Sequence, residues 1–398
     1  METIMILGAG AAQLPLYRAA KALGLRTVAV TIPGPYPGID EADEVSYTDI
    51  TDPEAVARAA KELRPAGVVS CCSEIALPAL ARACEACGLP GITPEAAAIS
   101  VNKRVMHGAF DRGGVTAPRW RVLETEADLD AAISALGFPL VVKAPDLFSS
   151  RGVYVVRSAD EAREALRESL AETNERYVLA EEFIAGRSFC LEAFVQNGEI
   201  FFRLPDGNLT IQNPGRPAIP IGHYAPLDEP EETLAVIRAA AEKAIRACGL
   251  DHCAVNMDLV LRDGTPYLIE LTARAGATAL SEMLSAYFGV NYYEMLLYAA
   301  LGRDAHALFD RRLDPPRPAA VAMLTSQASG VVRSLSVPET LPEGVRELTL
   351  LVAPGDTVRR FSNAGDRIGQ TVVTGTDTAD CLRRIDEVLA QVRVEVDP

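Results

Sequence analysis

The sequence predicts an α/β protein whose later part turns to α+β architecture, divided into two to four domains. Three observations carry this expectation. The 398 residues are too many for a single hydrophobic core. Residues 1 to about 95 alternate strand-like and helix-like stretches, the rhythm of a parallel sheet. From about residue 100 that rhythm gives way to hairpins and isolated amphipathic helices.

Taken in order, TIMILGAG is a buried strand, LPLYRAAKALG a helix stopped at Gly24, and RTVAVTI the next strand. AVARAAKELRP, AGVVSCC and LPALARACEACGL continue the alternation. SVNKRVMHGAFDRGG then predicts a helix with Ser100 as N-cap and Gly113 as stop. FPLVVKAP, GVYVV and YVLAEEFI are strands around the amphipathic helix SADEAREALRESLAET. SFCLEAFVQNGEIFFRL reads as a hairpin turned at Asn197-Gly198, and NMDLVLRDGTPYLIELTARAG as another turned at Asp263-Gly264. LDPPRP at 313–318 is a linker, followed by the short strands AAVAML, VRELTLLV and QTVVTG and a closing helix from Thr378.

The net charge of −16 argues against nucleic acid or an anionic membrane as partner, since phosphate backbones repel such a surface. METIMILGAG enters a strand directly, without the features of a secretory leader, and no stretch approaches the length of a membrane span. The eight cysteines sit mostly in apolar surroundings, which suits a reducing cytoplasm. Cys71-Cys72 and Cys84-x-x-Cys87 read as small packing residues rather than a metal cluster, because no histidine lies near them in sequence. Gly8-Ala9-Gly10 suggests a dinucleotide fold, but position 13 is Gln where the third glycine belongs. The second strand also ends Thr31-Ile32-Pro33, without the acid that would hold a ribose.

Chemistry concentrates in two places. Lys143 closes the apolar strand VVK and leads into APDLFSSRGV, where Gly152 permits a turn that aims backbone N–H groups at phosphate. No Gly-Lys pair occurs, so this is not a P-loop. In the second hairpin Asp258 and Glu270 lie on adjacent strands, able to face one another across the ladder. Two carboxylates so placed repel unless a divalent cation lies between them, and Mg²⁺ prefers such ligands together with phosphate oxygens. Arg274 lies just beyond, positioned for a second anion such as a carboxylate.

These segments together resemble the ATP-grasp superfamily of carboxylate–amine and carboxylate–thiol ligases over nearly the whole chain. LGAGAAQLPLYRAAKALGLRTVAV resembles the N-terminal domain of those enzymes, and VNKRVMHGAFDRGGVTAPRW the helix of their first ATP lysine, here Lys103. FPLVVKAPDLFSSRGV resembles the second lysine and the phosphate-covering loop, with Lys143, Ser149, Ser150, Arg151 and Gly152. AEEFIAGRSFCLEAF resembles the adenine-holding hinge, at Glu181, Glu182, Phe183 and Ile184. The metal acids fall on Asp258 and Glu270, and the substrate-anchoring arginine on Arg274. AIPIGHYAP, with the functional histidine at His223, and the tail LLVAPGDTVRRFSNAGDRIGQTVVTG are similar to bacterial L-amino-acid ligases and biotin-carboxylase-like enzymes.

The resemblance implies a pre-ATP-grasp domain at 1–98, an ATP-grasp domain at 99–312 with a lid at about 115–185, and a C-terminal α+β domain at 319–398. It implies ATP and Mg²⁺ (or Mn²⁺) as cofactors, small-molecule carboxylate and amine substrates, and a homodimer. The expected reaction is activation of an amino acid or related acid as an acyl phosphate, followed by amide formation. Carboxylation through carboxyphosphate, or nucleotide binding without turnover, are the alternatives. Two departures bear on turnover: Thr272 stands where the family has a metal-binding Asn, with Asn256 a compensating donor, and Ser188 where it has a ribose-binding acid, a role left to Glu192. Specificity is expected in the loops around 74, 205–224 and 274–280, with Glu74 either reaching the pocket or starting a helix.

Overall fold

The computed structural model describes residues 1–148, 151–211 and 218–397. Strands β1 (Thr3–Leu7), β2 (Arg26–Thr31), β3 (Glu44–Tyr47) and β4 (Gly67–Val69) form a parallel sheet in the order β3-β2-β1-β4. The run IMIL in β1 is apolar throughout because both faces are covered. Met5 and Leu7 enter one hydrophobic core, while Ile4 and Ile6 enter another on the opposite face. This alternation makes β1 the partition between the two largest cores.

The second sheet is small and antiparallel: β5 (Trp120–Leu123), β6 (Leu140–Lys143), β7 (Val153–Val156) and β8 (Val178–Glu182), ordered β5-β8-β6-β7. Helices Glu126–Leu136 and Ala159–Glu172 cover it, and Leu129, Leu140, Val142, Ala162, Leu166 and Val178 close a core of their own. A separate core gives this unit the means to move as one body, joined to the rest through the segment after β8.

The largest sheet has eight antiparallel strands: β9 (Arg187–Gln196), β10 (Glu199–Ile211), β11 (Ile219–Ala225), β12 (Cys253–Arg262), β13 (Thr265–Thr272), β14 (Ala319–Thr325), β16 (Val345–Leu350) and β18 (Arg367–Thr374). Its order is β13-β12-β9-β10-β11-β14-β18-β16. The sheet therefore runs unbroken past the 313–318 linker, through the pairing of β11 with β14. Strands β15 (Gly330–Ser336), β17 (Thr357–Val358) and β19 (Arg393–Asp397) make a fourth sheet in addition to the strands expected there. Helix Glu231–Ala247 lays Ile237, Ala241, Ala244 and Ile245 on the core at helical spacing. Among the described residues no helix is long and apolar enough to cross a membrane.

The expected cap at Ser100 is corrected. Ser100 lies inside helix Pro94–Val101, where its hydroxyl donates to the Ala96 carbonyl and accepts from the Ala273 N–H. Asn102 breaks the chain in extended conformation and caps the next helix, Lys103–Gly113, accepting from the Arg104 N–H at 3.0 Å. Gly114, one residue beyond the expected stop, ends that helix in left-handed conformation.

Candidate active site

The charged hairpin owes its register to its turn. Asp263 and Gly264 both take positive φ (51° and 73°), the conformation of a two-residue turn matched to strand twist. Fixed by it, Asp258 stands directly opposite Glu270 and Asn256 opposite Thr272. On the other side of β12, strand β9 sets Cys190 beside Asp258 and Glu192 beside Asn256. One face of the sheet thus carries two adjacent polar rows above apolar residues such as Met257, Leu259 and Leu271.

Asp258 opens onto the cleft, yet the protein around it and the facing Glu270 push its carboxyl up from the ordinary value. Glu270 behaves oppositely. Its surroundings would raise it, but Lys103, then Lys143 and Arg274, hold it below the usual range. Lys103 Nζ lies 2.9 Å from Glu270 Oε1 and donates to the Leu147 carbonyl at 2.8 Å, 5.5 Å from the Phe148 ring centre. One ammonium therefore links the helix, the loop after β6 and the hairpin. Thr272 Oγ1, buried two residues beyond Glu270, has no hydrogen-bond partner among the described residues.

Across the cleft, Lys143 is buried and lies 2.6 Å from Glu181 Oε1, where His107 Nε2 also arrives. Burial raises the Glu181 carboxyl, but Lys143 and His107 overcome it and bring it down to about 2. His107 was missed in the sequence. It lies four residues after Lys103 on the same helix, so the two share a face, and it stacks on Trp120.

Arg274 sits where the cleft meets the N-terminal sheet's loops. Its Nε donates to Glu74 Oε1 at 3.0 Å, and its Nη1 to Asn256 Oδ1 at 3.3 Å and to the Ala275 carbonyl at 3.0 Å. Glu74 thus both begins a helical turn and reaches the pocket. Asn256 in turn donates to Glu192 Oε1 at 2.6 Å. Glu192, expected at the ribose, is fully buried beside Asn256, which also contacts Arg274; burial and the nearby Asp206 push its carboxyl well up. His223 is buried with Nδ1 3.2 Å from Asp206 Oδ1, two strands from Cys190.

At the hinge, Glu182 is committed to Arg119 (2.8 Å) and Arg262 (3.2 Å), and Glu181 to Lys143. Both glutamate side chains are thus engaged in ion pairs, and the apolar Phe183 and Ile184 follow them. Gly152 takes φ +62° and accepts from the Ala144 N–H, closing the loop, while Arg151 is exposed beside it. Ser149 and Ser150 lie outside the described residues. Ser188 is exposed on β9.

Comparison with known proteins places this geometry. Residues 101–208 match the phosphoribosylglycinamide synthetase ATP-grasp (A) domain, and residues 322–397 match the L-amino acid ligase C-terminal domain 2. The structure of phosphoribosylglycinamide synthetase from Anaerococcus prevotii superposes with a TM-score of 0.86 at 32% identity, covering 100% of both chains. This chain belongs to the ATP-grasp carboxylate–amine ligases. L-amino acid ligase from Bacillus licheniformis shares the fold (TM-score 0.83, 23% identity, 100% of this chain and 99% of that one). Alanine–anticapsin ligase of Bacillus subtilis (strain 168) is 24% identical over 367 residues, 82% of this chain and 77% of its own. The protein is accordingly an ATP-dependent ligase forming carbon–nitrogen bonds.

The donors on the hairpin fit the divalent cation that this ligase family implies. Asp258, which is exposed, and Glu270 face each other, and the orphaned Thr272 hydroxyl offers a third oxygen. An all-oxygen set suits Mg²⁺ or Mn²⁺.

Proposed function

We propose that this ligase activates the carboxylate of an α-amino acid with ATP and joins it to an amine, releasing ADP and phosphate. The observation that carries the reading is the Arg274–Glu74 pair. Arg274 is largely buried and already neutralised by Glu74, so a simple carboxylate would leave one uncompensated negative charge beside it. A zwitterion leaves none: its carboxylate takes the guanidinium and its ammonium takes Glu74. Bicarbonate brings no such cation, which disfavours carboxylation here.

Lys103 and Lys143 hold the nucleotide phosphates in this reading, Lys103 leaving Glu270 as it does so. Mg²⁺ or Mn²⁺ on Asp258, Glu270 and Thr272 supplies charge neutralisation during phosphoryl transfer. Arg274 orients the substrate carboxylate toward the γ-phosphate, and Asn256 holds that guanidinium in place. Closure of the small sheet and its Gly152 loop excludes water from the acyl phosphate until the amine displaces phosphate. A homodimer in the cytoplasm completes the proposal; eight unpaired cysteines support the reducing compartment.

The test is ADP release over a panel of paired amino acids, with each acid's des-amino analogue and bicarbonate as controls. The reading expects turnover only with an α-amino acid present, and Glu74→Gln to weaken use of the amino acid. Equal turnover with des-amino acids, or bicarbonate-dependent release without an amino acid, overturns it. Binding of nucleotide without release across the panel assigns the protein to the inactive alternative.

A further inference from the structure

Cys190 on β9, Asp206 on β10 and His223 on β11 converge in the floor of the same sheet. One ligand atom from each lies within 4.8 Å of the others, and the residues are 4%, 0% and 2% exposed. Cys190 Sγ is 3.1 Å from Asp258 Oδ1 and 3.3 Å from Asn208 Oδ1. Asp206 turns Oδ1 toward His223, but its Oδ2, equally buried, finds no hydrogen-bond partner among the described residues. A carboxylate oxygen buried without a donor keeps the full cost of its lost hydration, so this atom calls for a ligand. The donor types select which one. A thiol, an imidazole and a carboxylate are the ligands Zn²⁺ accepts, whereas Mg²⁺ takes oxygen almost alone.

We propose that Cys190, Asp206 and His223 bind a thiophilic divalent cation of the Zn²⁺ class, distinct from the cation of the charged hairpin. On binding, the Cys190 thiol releases its proton to solvent and a sulfur–metal bond replaces its hydrogen bond to Asp258. Thiolate and carboxylate together balance the two positive charges, with neutral His223 as third donor. The occupied cluster lies one strand from Asp258 and deprives it of a hydrogen-bond donor. Resting on the ligase reading for this consequence alone, occupancy opposes nucleotide-dependent turnover, so Zn²⁺ inhibits.

Titration of the metal-free full-length protein with Co²⁺ tests the site without turnover. The expected result is a thiolate-to-cobalt charge-transfer band saturating at about one equivalent, displaced by Zn²⁺, lost in Cys190→Ser and retained in Cys84→Ser. Absence of the band in the wild type, or its survival in Cys190→Ser, overturns the proposal. Should Cys190→Ser fail to fold, zinc-edge X-ray absorption of the wild type decides. One sulfur among nitrogen and oxygen scatterers supports the site; no sulfur, or several, removes it. Neither readout needs ATP, so failure here leaves the ligase reading standing, and failure of the substrate panel leaves the metal site standing.

Discussion

On the lid side of the cleft, Lys143 and His107 converge on Glu181, and the buried charges are matched within the polypeptide. On the facing side, Asp258, Glu270, Glu192 and Asp206 crowd one sheet surface, with Lys103 and Arg274 the cations drawn among them. Three buried oxygens there, on Thr272, Glu192 and Asp206, have no partner among the described residues. Among the described residues the lid side leaves His107 Nδ1 without a partner, yet its charges are paired within the fold, whereas the hairpin side holds more carboxylates than cations. Strain of this kind, an excess of like charge awaiting a ligand, is expected where function lies.

The largest effect expected from this contrast is in catalysis. Glu270→Gln removes one of two facing carboxylates and should lower ADP formation on the order of a thousandfold, with the fold still intact by circular dichroism. Retained activity would take Glu270 out of the metal site.

The two sides should next differ in the sign of their stability response. Lys143→Met strands the buried Glu181 with His107 alone and should destabilise by about 3–5 kcal/mol in a urea melt. Asp258→Asn relieves repulsion from Glu270 and should leave the ligand-free protein as stable as before or more so. Destabilisation of equal size by both would erase the comparison.

Arg274→Ala should raise KM for the acid substrate about 10–100-fold while leaving the ATP dependence nearly constant. An unchanged KM would return the arginine to a structural role with Glu74.

The smallest and most local effect concerns acid. Glu181 has a folded pKa of about 2, below its unfolded value, so its stabilisation is complete above the ordinary glutamate range and lost as pH falls toward 2. Stability of the wild type should therefore fall between about pH 5 and 2, and this fall should be shallower in Glu181→Gln, as followed by acid titration of near-ultraviolet circular dichroism. Parallel profiles would show that Glu181 is not the group responsible.

How much of this was readable beforehand depended on sequence distance. Asp258 and Glu270 lie either side of a two-residue turn, so period-two alternation and the Asp-Gly signal were enough to set them face to face. Lys143 stood out as a cation ending an apolar strand. The row that crosses from β9 to β12 depends on the register of strands far apart in the chain, and nothing local encodes that Cys190 meets Asp258 or Asn256 meets Glu192. Glu181 and Glu182 looked free for adenine because their partners, Lys143, Arg119 and Arg262, come from other elements. The fourth sheet is hard to read because β15 and β19 intersperse charged or polar residues with their apolar ones. The cap moved from Ser100 to Asn102 because two helices meet there, a junction that a single amphipathic pattern conceals.

The central claim is that the hairpin acids grip a cation that in turn grips the nucleotide. Electron paramagnetic resonance of Mn²⁺, titrated into the protein with a non-hydrolysable ATP analogue, measures that directly. The account predicts tight nucleotide-dependent Mn²⁺ binding in the wild type that is lost in the Asp258→Asn, Glu270→Gln double variant. Equal Mn²⁺ affinity in both proteins would contradict it.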